Sequence, residues 1–212
     1  KRLVRLEDPI ERVVPGVTQS QVNAAAGFDL AVGLRSLMRQ DPEVIMVGEI
    51  RDRDVAETVF QASLTGHLVT TTFHAGSAVG AISRLSDMGI EPFLLKSGLL
   101  GILSQRLLRR LCDCARPSEN PEDHLGLNVE RVRLPVGCDL CQGTGYRGRF
   151  LVAQLLTTDE ESIGAAIRER REAPYLQQAA VAAGMIPNLT RACHAVDEGV
   201  TSPAEVRRVF GF

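Results

Sequence analysis

Val44-Ile45-Met46-Val47 is an unbroken apolar run closed by Gly48-Glu49. A run of this length without polar alternation suits a strand buried on both faces, and parallel sheets flanked by helices provide that burial. The neighbouring text agrees. Leu3-Val4-Arg5-Leu6 reads as a strand that stops at Glu7-Asp8-Pro9, because proline disfavours helical backbone in the residue before it. Asp29 is placed to cap a helix with Leu30, Leu34, Leu37 and Met38 on one face, ended by Asp41-Pro42. A helix from about Asp54 to Leu64 turns Val55, Val59 and Phe60 inward. Leu68 to Phe73 is rich in β-formers and ends at His74, and a helix carrying Val79, Ile82 and Leu85 follows. Strand, helix, strand, helix, strand predicts an α/β fold with a parallel sheet.

From Gln105 the pattern changes. Arg106, Arg109 and Arg110 lead into Cys112-Asp113-Cys114, and residues 115–137 are loop-like, with Pro117, Pro121 and Pro135. Cys138 and Cys141 follow, then a glycine-rich stretch from Gly143 to Gly148. From about Asp159 the text is helical, broken at Pro174, Gly184, Pro187 and Gly199. Five cysteines are an awkward number for a disulfide framework, whereas two close pairs are a metal-type arrangement. Four thiolates leave no open coordination position, so a metal held by them is structural; a metal-free remnant held by packing is the alternative. Cys193 stands alone on a helical pattern and reads as a small core hydrophobe. Gly143-x-Gly145-x-x-Gly148 matches a dinucleotide-binding string, but Arg149 to Val152 reads as strand where such a loop needs a helix. The arginine cluster reads as a solvated face or an intersubunit ion-pair surface, with contact to membrane lipid or a platform protein as the alternative.

Composition excludes several classes. The 212 residues carry 24 basic and 26 acidic side chains for a net charge of −2, which is no electrostatic footprint for nucleic acid. Aromatics make up 4% with no Trp, so no base-stacking surface is expected. The longest apolar stretch, Gly98 to Leu103, falls far short of a membrane span, and no secretion signal opens the chain. The chain begins at Lys1 rather than Met, as a fragment or processed product would.

In open parallel sheets ligands sit at the carboxyl ends of the strands. Here those ends are Glu7-Asp8, Glu49 and His74, which converge on one edge. An acid directly after a buried apolar strand is the Walker B arrangement, whose carboxylate holds Mg²⁺ or orients an attacking water. A second acid from the neighbouring strand serves as general base, and a histidine polarises the γ-phosphate. The plainer reading is that Asp, Glu and Gly after a strand are turn residues.

The strings themselves go further. Arg5-Leu6-Glu7-Asp8-Pro9-Ile10-Glu11 resembles the Asp box of secretion and pilus-assembly ATPases, and Arg39 to Asp52 (RQDPEVIMVGEIRD) resembles their Walker B segment. Leu64 to Ala75 (LTGHLVTTTFHA) is similar to their His box, and Cys138 to Arg149 to the second half of their tetracysteine motif. In order and spacing the chain, from Val4 to about Phe210, resembles the type II secretion and type IV pilus-extension ATPases.

That resemblance implies a RecA-like P-loop NTPase sheet, present in part over residues 1–104. It also implies a tetracysteine zinc-binding insert over 105–150 and a helical C-terminal subdomain over 151–212. It implies a homo-hexameric motor at the cytoplasmic face of the inner membrane, held there through platform proteins, using ATP and Mg²⁺, with no nucleic-acid partner. By position, Glu7 and Asp8 fall on the Asp-box acids, Glu7 being the expected water activator. Glu49 falls on the Walker B acid, followed by Arg51 and Asp52. His67 and His74 fall on the His-box histidines, and His67, preceding its strand, is expected farther from the strand-end edge. The implied catalytic set is Glu7, Glu49 and His74, with Asp8, Glu49, Arg51, Asp52 and His67 on the nucleotide and its magnesium. Cys112, Cys114, Cys138 and Cys141 are the implied zinc ligands. The tetracysteine element favours the secretion or extension branch over retraction motors.

Three features depart from the family. The first cysteine pair is C-x-C where the family has two intervening residues, which shortens the chelate loop. Gln154 stands where the family often has Glu. The lysines are Lys1 and Lys96, and neither lies in a G-x-x-x-x-G-K-[ST] string, which in the family precedes the Asp box. These 212 residues alone are therefore expected to hydrolyse ATP poorly or not at all, and to leave one sheet face incompletely covered. Two alternatives are a non-catalytic partner that joins and regulates such a motor, and a zinc-binding adaptor; the latter leaves the three strand-end motifs unexplained.

Overall fold

The computed structural model describes residues 2–158 and 161–212. The expected start of helical text at about Asp159 and the Lys1 terminus lie outside the described residues. The chain forms two compact units. One comprises Lys1–Ile102 and Thr157–Ala183, the other Leu103–Leu156 and Gly184–Phe212.

The first unit holds a four-stranded sheet of β1 (Leu3–Glu7), β2 (Thr18–Gln21), β3 (Val44–Glu49) and β4 (Leu68–Thr72), in the order β2-β1-β3-β4. Every pairing is parallel, with Leu6 opposite Val47 and Val47 opposite Thr71. Val4, Leu6, Ile45 and Val47 point to one face and are fully buried. Helices α1 (Leu30–Leu37), α2 (Arg53–Leu64), α3 (Ala78–Asp87) and α4 (Pro92–Gly98) follow in chain order, and α5 (Glu161–Arg168) and α6 (Ala173–Ala182) belong to the same unit. Asp29 caps α1 as its position predicts, accepting from the Val32 N–H at 2.7 Å. Gly33 lets α1 press onto β1, since a Cβ there would sit 2.8 Å from Leu6 Cδ2.

The expected burial on both faces holds for one. Val44 and Met46 are half-buried, and Thr70, opposite Met46, is exposed, so the second face is incompletely covered. β2 has no counterpart in the sequence reading: Thr-Gln-Ser-Gln offers no apolar signal, and the strand forms because β1 presents an edge to it.

The second unit is built on the pairing of β5 (Gly101–Leu111) with β8 (Tyr146–Thr157). Between them β6 (Arg116–Ser118) and β7 (Val132–Leu134) form an antiparallel pair inside the stretch that reads as loop. Helices α7 (Asn188–Asp197) and α8 (Pro203–Phe210) complete the unit. Leu108, Leu127, Val132, Val152, Val196 and Val206 share its core, and Cys193 packs against them as a small hydrophobe. Among the described residues no helix is long and apolar enough to cross a membrane.

Candidate functional site

The sheet of the first unit brings three strand ends side by side. The register of β3 on β4 shifts between Val47 and Glu49, so Gly48 is a bulge that re-aims the Glu49 carboxylate. The Thr72 hydroxyl closes that bulge by donating to the Gly48 carbonyl at 2.7 Å. The Glu49 carboxylate meets two partners. Arg51 donates to Oε1 through Nε and Nη2, and His74 Nε2 lies 3.2 Å from Oε2. Arg51 also reaches the next strand end, with Nη1 at 3.1 Å from Asp8 Oδ2. Asp8, Glu49, Arg51 and His74 therefore form one continuous polar chain. The hydrogen bond from Arg51 is the main reason the Glu49 carboxyl is held below the usual range. The same contact raises Arg51.

The remaining residues singled out from the motifs occupy other surroundings. Glu7 is buried and committed to Arg5 Nη2 at 2.6 Å and Gln19 Nε2 at 2.8 Å, on the β1 face that carries Arg5. Asp52 is the N-cap of α2, accepting from the Val55 N–H at 2.9 Å. His67 lies before β4, with Nδ1 at 3.1 Å from both Thr65 Oγ1 and the Ala62 carbonyl, where it closes the C-terminal turn of α2. That is the opposite end of β4 from His74, in line with its expected distance from the strand-end edge. Arg84 was not singled out in the sequence. It donates from α3 to the His74 carbonyl at 2.6 Å and lies 5.5 Å from the Phe73 ring, so it anchors the histidine's backbone.

The second unit gathers the four paired cysteines. Their sulfurs all lie within 4.8 Å of one another, and none forms a disulfide. Cys112–Cys138, Cys114–Cys141 and Cys138–Cys141 are 3.8, 3.9 and 3.7 Å apart. A tetrahedron with metal–sulfur bonds of about 2.3 Å has edges of about 3.8 Å. Each cysteine of the C-x-C pair thus lies at about that spacing from one cysteine of the C-x₂-C pair. Cys141 Sγ accepts the backbone N–H groups of Cys138 at 3.1 Å and Gly145 at 3.2 Å. Burial raises the Cys141 thiol, but those N–H groups outweigh it and bring it down to about 6, whereas burial pushes Cys114 up to about 11. The glycine string belongs to this knuckle rather than to a dinucleotide. Gly145 has φ +75°, and a Cβ there would fall 2.3 Å from Pro135 Cβ.

Of the arginine cluster beside the cysteines, Arg109 is ion-paired within its own unit. Glu205 on α8 is fully buried and accepts from Arg109 Nε at 2.7 Å, the Arg109 backbone N–H at 2.9 Å, and Arg208 Nε and Nη2 at 2.7 Å. Burial raises its carboxyl, but the hydrogen bonds from Arg208 and Arg109 overcome this and hold it at about 2. The Arg109 guanidinium also lies 4.1 Å from the Tyr146 ring centroid.

Comparison with known proteins adds a family to this geometry. The family described as type II/IV secretion system protein matches residues 1–208. Type II secretion system protein E of Pseudomonas aeruginosa is 45% identical over 216 residues, covering 99% of this chain and 43% of the relative. The type IV pilus assembly ATPase PilB of Thermus thermophilus is 41% identical, covering 97% of this chain and 24% of the relative. Among solved structures, the pilus retraction motor PilT with bound ADP superposes with a TM-score of 0.69 at 27% identity, over 97% of this chain and 51% of that one. The chain spans less than half the length of these curated relatives.

Proposed function

The chain belongs to the type II/IV secretion system protein family, and from that footing we propose that it is the C-terminal part of a motor ATPase serving type II secretion or type IV pilus extension. The observation that carries the reading is the alignment of Asp8, Glu49 and His74 at three neighbouring strand ends, joined through Arg51. Glu49, at the end of an apolar strand and kept ionised by Arg51, is the acid that orients water or holds the cation. Asp8 supplies the second hard oxygen donor. His74 fixes the second Glu49 oxygen and is itself held by Arg84. Glu7 is proposed to activate the attacking water, with Arg5 and Gln19 setting its orientation. Bound Mg²⁺–ATP supplies the phosphoanhydride to be cleaved; these residues supply charge, orientation and a proton acceptor.

We assign the cysteine cluster as a structural zinc site, because four soft donors stand at tetrahedral spacing and leave no open position. That cluster is the support for the secretion or extension branch. Work as a hexamer against inner-membrane platform proteins, from the cytoplasmic face, is part of the same proposal. The test is phosphate release from ATP by the native-length polypeptide that carries these residues. Glu49→Gln is expected to slow it by about a hundredfold or more. Hydrolysis at the unmutated rate would overturn the reading.

A further inference from the structure

Both oxygens of Glu49 are engaged, Oε1 by Arg51 and Oε2 by His74. Arg51 is the only residue of the group that touches two carboxylates, and it places a full positive charge where a divalent cation shared by Asp8 and Glu49 would sit. At contact distance two cations repel strongly even when partly exposed. The carboxylate pair and Arg51 therefore form a closed set, and the site as built is shut to a cation.

The backbone around Arg51 shows what is free to open it. Ile50 is buried and its N–H donates to the Thr72 carbonyl at 3.1 Å. Asp52 is pinned as the α2 cap. Between these two fixed points the Arg51 side chain is 52% exposed, so it can swing without disturbing the sheet or the helix. A guanidinium fork that fits a carboxylate fits a phosphate equally well.

We infer that Arg51 is a built-in counter-ion that keeps the Asp8–Glu49 pair closed to divalent cations until a phosphate-bearing ligand draws its guanidinium away. The inference rests on the nucleotide reading of the site. It adds that cation and phosphate enter together: phosphate takes Arg51, and the cation takes the carboxylates that Arg51 releases. Arg51 acts here as a positioning residue, through Glu49 and Asp8.

The probe is Mn²⁺ without nucleotide, its free fraction read by electron paramagnetic resonance with the full chain and the cysteine cluster loaded with Zn²⁺. Arg51→Gln is expected to bind Mn²⁺ at least about tenfold more tightly than the unmutated chain, the low end of what an adjacent arginine does to a carboxylate's hold on a proton. Arg51→Lys keeps the charge without the fork and is expected to show a smaller gain; should the Gln variant not fold, the Lys variant is read in its place. Adding Glu49→Gln is expected to abolish the gain. Equal or weaker binding by the Arg51 variants, no binding by any of them, or a gain that survives Glu49→Gln would overturn the clamp. A gain in Mn²⁺ affinity combined with undiminished ATP hydrolysis by Glu49→Gln would uphold the clamp while removing the hydrolytic reading.

Discussion

Arg109 and Glu205 are 96 residues apart in sequence and share two hydrogen bonds, one from the Arg109 backbone N–H and one from its Nε. The carboxylate is fully buried, so this contact ties β5 to α8 at the cost of taking a charge out of water. Glu205→Ala would leave Arg109 without its buried partner. We expect a loss of about 2 kcal/mol in the unfolding free energy of this unit, from the lost charge-assisted hydrogen bonds, read by urea denaturation.

The same carboxyl sets an acid dependence. Its folded value of about 2 lies below the ordinary 4.5, so the contribution is complete above the ordinary value and is lost as pH falls through the folded one. Denaturation midpoints measured from pH 6 down to pH 2 should fall more steeply for the unmutated chain than for Glu205→Gln. Parallel profiles would contradict the assignment.

Zinc content checks the cysteine cluster. The expected result is one Zn per chain by elemental analysis, lost on Cys138→Ser or Cys141→Ser, with lower thermal stability of the metal-free form. Well under one Zn in protein purified without chelator would count against the site.

Gly145 offers a second handle on the knuckle. Its positive φ and the close approach of Pro135 leave no room for a side chain. Gly145→Ala should displace the N–H that supports Cys141 Sγ and weaken zinc retention against a chelator, whereas Gly126→Ala, also at positive φ but with open space around it, should leave retention unchanged.

Asp52 separates capping from chemistry. Asp52→Ala is expected to cost about 1 kcal/mol through loss of the α2 cap. Asp52→Asn or Asp52→Ser keeps a capping oxygen without the full charge. If these variants restore stability and leave nucleotide affinity unchanged, the carboxylate serves the helix; a loss of affinity in a stable Ser variant would return Asp52 to the nucleotide.

What the sequence reveals here follows from which signals are local. The β1, β3 and β4 strands, the Asp29 cap and the approach of His74 to Glu49 come from apolar runs and the residues that end them. β2 was invisible because Thr18–Gln21 has no apolar face and owes its conformation to β1. Glu205 was invisible because its partner lies in another element, and nothing in Pro203–Phe210 marks one glutamate as buried. The same holds for α5 and α6: a helical pattern does not show that they join the first unit while α7 and α8 join the second. The cysteine spacing suggests a metal-type cluster, but only the fold brings the four sulfurs within 4.8 Å of one another.

The central claim is that the Asp8–Glu49 strand ends receive the cation and phosphates of a nucleotide. The most direct measurement is a structure of the native-length assembly with Mg²⁺ and a non-hydrolysable ATP analogue. The account predicts Mg²⁺ held at Glu49 and Asp8, directly or through water, with the Arg51 guanidinium moved onto phosphate oxygen. A bound nucleotide whose phosphates lie away from these strand ends, with the Arg51 contacts to Glu49 and Asp8 intact, would contradict it.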